Sequence, residues 1–95
     1  TSADGPEQPA QRFTASPNPA RGATELRWAG SGAPCRIEVF DVTGALRLRA
    51  EVPAGTRSYR WNGEDGAHRA LPGGAYWVRR TEGLVREHAR VTLTR

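Results

Sequence analysis

Apolar and polar positions alternate in short stretches along most of the chain, and each stretch ends on turn-forming residues. The clearest is Ala45–Val52, where Leu46, Leu48, Ala50 and Val52 alternate with Arg47, Arg49 and Glu51. A period of two sends successive side chains to opposite faces of a strand. The same pattern predicts strands over Arg12–Ser16, Ala23–Trp28, Cys35–Phe40, Thr56–Trp61, Gly74–Thr81 and Leu84–Thr94. Thr24, Leu26 and Trp28 share one face of the second strand. Cys35, Ile37 and Val39 point inward on the third, with Arg36 and Glu38 outward. Arg57, Tyr59 and Trp61 share a face of the fifth, with the Arg57 stem packing at the edge of the aromatic pair. On the sixth, Tyr76 and Val78 oppose Trp77 and Arg79. The last strand is expected to bury Val85, Ala89, Val91 and Leu93. No stretch carries a helical period.

The turns have their own chemistry. Pro17-Asn18-Pro19 stops the first strand, because two prolines remove two N–H donors and push their predecessors into extended geometry. Asp41-Val42-Thr43-Gly44 predicts a tight hairpin of the type I plus bulge kind. Its Asp accepts the backbone N–H two residues on, and its Gly takes the positive φ. Loops follow at Ala29–Pro34, Pro53-Ala54-Gly55, Asn62–Gly73 and Thr81-Glu82-Gly83. Seven short strands with turns at near-regular spacing predict an all-β fold, a seven-stranded antiparallel β-sandwich, with a small closed barrel as the alternative.

Composition bounds this picture. The chain has 95 residues, enough for one domain. Only 37% of residues are hydrophobic, yet three Trp, two Tyr and two Phe supply large buried areas for a small core. Residues 1–11 (TSADGPEQPAQ) have the composition of a flexible interdomain linker, and residues 12–95 form the folded unit. The linker implies a covalently attached domain on its N-terminal side. No run approaches the ~20 apolar residues of a transmembrane helix. Nor does the polar start of the chain resemble a signal peptide, so an export signal is expected on a preceding part of the parent.

The net charge is +4, and all 14 basic residues are Arg. They are dispersed among ten acids, as on a solvated sheet face, so no nucleic-acid partner is expected. Cys35 is the single cysteine, which excludes an internal disulfide and reads as a small buried hydrophobe.

Candidate chemistry is sparse. Asn62, Glu64 and Asp65 crowd one loop without calcium-loop spacing, and a solvated turn accounts for them. His68 and His88 lack a partner at metal-ligand spacing. No serine sits in a nucleophile-elbow context. The expectation is therefore a non-enzymatic protein with no catalytic residue, metal or cofactor. Trp28 and Trp61 have core parity. Trp77 and Phe40 have outer parity and are the candidates for an exposed, ligand-binding aromatic surface, carbohydrate being one such ligand.

The ordered set of motifs from Phe13 to Arg95 resembles bacterial C-terminal immunoglobulin-like modules. Two related families share it: the C-terminal sorting domain of type IX secretion cargo, and the immunoglobulin-like domain of the flagellar hook-cap scaffold protein. The family positions fall on Pro17, Asn18 and Pro19, on Asp41 and Gly44, on Gly74 and Tyr76, and on a basic final strand, here Arg90 to Arg95 with Arg in place of the usual Lys. The loop from Trp61 to Arg69 resembles the hook-cap variant more than the shorter sorting domains.

The resemblance implies an immunoglobulin-like sandwich exported through the periplasm to the cell surface. It further implies recognition by an outer-membrane secretion translocon, and a sortase-type protease that would cut the linker joining the domain to an N-terminal cargo domain. Recognition is expected on the final strand and the hairpin loops. The alternative is a structural or binding accessory domain with a hook-cap-like assembly, adhesion or carbohydrate-binding role.

Overall fold

The computed structural model describes residues 13–30 and 32–95, and the expected linker at residues 1–11 lies outside them. Seven strands follow in order: β1 (Phe13–Ser16), β2 (Thr24–Trp28), β3 (Cys35–Phe40), β4 (Leu46–Val52), β5 (Ser58–Trp61), β6 (Gly74–Glu82) and β7 (Val85–Leu93). They form two antiparallel sheets, ordered β1-β2-β5 and β4-β3-β6-β7. The described residues contain no helix. Each expected strand is present. β3 has the expected bounds, and β5 begins two residues later than the alternation suggested.

The two sheets bury their inward faces against one core. Leu26, Trp28 and Trp61 come from the three-stranded sheet, and Ile37, Val39, Tyr76, Val78 and Val91 from the four-stranded one. Trp61 meets Tyr76 edge to face at 5.6 Å between ring centres, and Phe13 meets Trp28 at 6.2 Å. Such pairs add to the stabilisation from buried area. Cys35 is buried with a free thiol.

Three inward assignments fail. Leu46 is 43% exposed, because the register slips between Val39 and Phe40. Val39 opposes Leu48 and Phe40 opposes Leu46, so Arg47 is an extra residue and Leu46 turns to the outer face. Val85 is 48% exposed. β6 and β7 span nine residues each, whereas the strands facing them span four or five, so the tip of the β6–β7 hairpin overhangs the smaller sheet. Arg57 is exposed, and its guanidinium holds the Gly30 carbonyl instead of packing on the aromatic pair.

Three charges expected in solvent are buried, Asp65 in the loop after β5 and two on the four-stranded sheet. Glu38, on the outer face, is closed over by Arg79 at 2.8 Å and Arg49 at 3.4 Å. Arg80 has inward parity on β6. It is held by Glu82 at 2.8 Å and Glu87 at 2.6 Å. The chain can bury both charges because each is paired and hydrogen-bonded.

Candidate functional site

The four motifs separated in sequence converge on one end of the molecule. β6 starts at Gly74, which pairs with Leu93 near the end of β7. Phe40, at the end of β3, pairs with Trp77 just beyond Tyr76. The Asp41–Gly44 hairpin therefore stands beside the Gly74-Ala75-Tyr76 segment, and Pro17–Ala20 runs along the end of β7.

The Pro17-Asn18-Pro19 segment does more than stop a strand. β7 is an edge strand, and its end would otherwise present unpaired backbone groups. The Asn18 amide donates to the Arg90 carbonyl at 2.7 Å and accepts from the Thr92 N–H at 3.0 Å. Ala20 continues the lacing in parallel. Its N–H donates to the Thr92 carbonyl and its carbonyl accepts from Thr94 N–H, both at 2.8 Å. Both prolines follow cis peptide bonds. The reading of this motif as a turn thus missed its second role, closure of the final strand. That role needs a contact across more than 70 residues of sequence, which no local pattern contains.

Asp41 acts as expected. Its Oδ1 accepts from Thr43 N–H at 2.9 Å and Ala45 N–H at 3.1 Å, and Gly44 has φ of +85°. The Thr43 hydroxyl also donates to Asp41, and these hydrogen bonds outweigh burial to hold the carboxyl below its usual range. Asp65 repeats the device in the loop read as solvated. It is 8% exposed, and its Oδ1 accepts from Ala67 N–H and Arg69 N–H at 2.8 and 3.0 Å. These bonds and the Arg69 charge keep its carboxyl low as well. His68 in that loop is exposed with φ of 63°, and His88 is exposed on β7. No cluster of His, Cys, Asp or Glu suited to a metal occurs among the described residues.

Tyr76 is buried, and its hydroxyl donates to the Pro72 carbonyl at 2.6 Å. Burial pushes its phenol up. Gly74 has φ of +146°, a conformation side chains rarely adopt. Arg95 reaches back to the Gly63 carbonyl at 2.9 Å. At Gly63, with φ of +73°, an added Cβ would lie 2.9 Å from the Gly22 carbonyl oxygen. The Trp61-Asn62-Gly63 turn is glycine-dependent for that reason.

Val42, at the tip of the Asp41–Gly44 hairpin, is 70% exposed and stands between two shallow depressions. One, of about 350 Å³, is lined by Leu71, Pro72, Gly74 and Tyr76. The other, of about 370 Å³, is lined by Phe40, Gly44, Trp77, Arg79 and His88. Trp77 is 41% exposed, and the Arg90 guanidinium lies 5.8 Å from its ring centre. Phe40, half-buried, carries the Arg79 guanidinium at 5.0 Å. Both outer-parity aromatics are thus neighbours on one surface, and Leu46, invisible to the alternation, extends their row.

No protein-family model matches the chain, and no curated protein matches it. Among solved structures, the chain is similar to part of PorZ, described as an essential bacterial surface component of the type-IX secretion system of human oral-microbiomic Porphyromonas gingivalis. The likeness has a TM-score of 0.71 at 18% identity, covers 98% of this chain and spans 13% of that one. At that identity it is a likeness of fold, shared with one small portion of a type IX secretion component.

Proposed function

We propose that the protein is the non-catalytic immunoglobulin-like C-terminal module of an exported bacterial protein, acting as a type IX sorting and cell-surface anchoring signal. The observation that carries this reading is the convergence of Pro17–Pro19, Asp41–Gly44, Gly74–Tyr76 and Arg90–Arg95 on one end of the fold. The fold shared with a portion of PorZ supports it. The immunoglobulin-like assignment is supported by the strand order and by Tyr76. Its bond to Pro72, four residues back in the loop that enters β6, has the form of a tyrosine corner. In this reading the translocon meets the hairpin tip and the laced end of β7, and the protease cuts within residues 1–11.

The test is a fusion of Thr1–Arg95 to the C-terminus of a periplasmic reporter in a type IX-competent host. The reporter is expected at the cell surface. Retention in the periplasm, with the fused domain folded, overturns the proposal. A second reading, a binding accessory domain, is favoured by the exposed row of Leu46, Phe40 and Trp77.

A further inference from the structure

Leu46, Phe40 and Trp77 are direct cross-strand neighbours on β4, β3 and β6, and Arg90 on β7 completes the row. A single line of side chains therefore crosses all four strands on the outer face. Three of its members are apolar, and Val42 adds a fourth apolar group at its rim. The next row is Arg49, Glu38, Arg79 and His88. Here two arginines share the one carboxylate of Glu38, which leaves positive charge over. Arg90 has no carboxylate partner among the described residues and lies over Trp77. The face thus joins an exposed apolar row, with a depression of about 370 Å³, to uncompensated guanidinium charge.

We infer that this face docks an acidic partner protein, through a segment that sets an apolar or aromatic side chain against Trp77 and Phe40 and a carboxylate on Arg90. Trp and Arg on a flat apolar surface are the residue types that dominate binding energy at protein interfaces. Charge complementarity selects the occupant. A second copy would bring two positive sets together. The acids it could offer, Glu38 and Asp41, are already held by Arg79 and by the hairpin's own backbone.

A sugar fits less well. Leu46 and Val42 offer it no hydrogen bond from their side chains, and Asp41, which borders the depression, spends its Oδ1 on Thr43 and Ala45. The inference is independent of the sorting proposal, since it concerns what the isolated chain binds.

The test is a titration of the 15N-labelled 95-residue chain with the blocked peptide Glu-Asp-Phe-Asp-Glu, followed by amide shifts. Saturable shifts confined to Phe40–Leu46, Trp77–Arg79 and His88–Arg90 are expected. Trp77→Ala should weaken binding by roughly tenfold or more. Arg90→Gln should weaken it by about threefold or more, and raised salt should do the same to the native chain. Because Trp77 and Arg90 lie on the outer face, the folded spectrum of each variant is a direct control.

Several results overturn the inference. They are absence of saturation at millimolar peptide, equal binding of Lys-Arg-Phe-Arg-Lys or Ser-Gly-Phe-Gly-Ser, and shifts centred elsewhere. So are concentration-dependent dimerisation through these residues and saturable binding of a neutral oligosaccharide in place of the peptide.

Discussion

The guanidinium of Arg80 lies 5.4 Å from the centre of the Trp28 ring, so a charge from the four-stranded sheet rests on an indole of the three-stranded one. Glu82 and Glu87 hold it there. Burial disfavours the charged form of Arg80, and the hydrogen bonds it donates to these two acids and to Cys35 outweigh it, so its pKa is raised. The arrangement ties the overhanging β6–β7 hairpin to the core.

Breaking this cluster from one side should be costly. Arg80→Ala removes the guanidinium that Glu82 and Glu87 hold and empties the space over Trp28, with an expected loss of about 3 kcal/mol. Arg80→Met keeps the volume, and its loss should be much smaller when Glu87→Gln accompanies it. Urea unfolding followed by tryptophan fluorescence measures both. Equal losses for the two would show that the charge, and not the packing, dominates.

Asn18 should matter through β7 and not through its own turn. Asn18→Ala removes two hydrogen bonds that span the chain, with an expected loss of about 1–2 kcal/mol. Amide exchange at Thr92 should accelerate by more than that at Val91, whose partner strand β6 is untouched. Asn18→Asp keeps the acceptor for Thr92 and loses the donor to Arg90, and should fall between native and Ala.

Tyr76→Phe deletes one hydroxyl from a buried ring. The Pro72 carbonyl loses its donor, and the expected loss is about 0.5–1.5 kcal/mol. The Trp61 contact survives, so the fluorescence of the folded state should change little while the denaturation midpoint falls.

Acid should weaken the fold. Burial raises the pKa of Glu38, but the Arg79 hydrogen bond and the Arg79, Arg49 and Arg36 charges more than reverse this, so its folded value is lowered. Asp41 and Asp65 are lowered too. A carboxyl whose pKa is lower folded than unfolded stabilises the fold fully above its unfolded value. That contribution fades as pH falls through the folded value, because the unfolded chain then binds more protons. The urea midpoint should be flat from about pH 7 to 5 and fall below roughly pH 4. Asp41→Asn should flatten part of the decline, and an unchanged profile would remove Asp41 from this account.

Alternation, proline and glycine placement, and the Asp41 turn determined the number of strands, their order along the chain and most inward faces. These depend on residues two to four positions apart, whose geometry the backbone alone enforces. Trp28 and Trp61 in the core, Cys35 as a buried thiol and Trp77 as an exposed ring followed from the same parity. Tertiary structure decided the rest. The slip at Arg47 turned Leu46 outward because register belongs to two strands and not to one. Glu38 is buried because Arg49 and Arg79 reach it from neighbouring strands, and Arg80 because Glu87, across the hairpin, joins Glu82 of its own strand. Asn18 closes β7 because the fold brings residues far apart in sequence within hydrogen-bond reach. The candidate surface was half legible: Phe40 and Trp77 could be placed outside one by one, but pairing of β3 with β6 made them neighbours, and pairing of β6 with β7 set Arg90 over the ring.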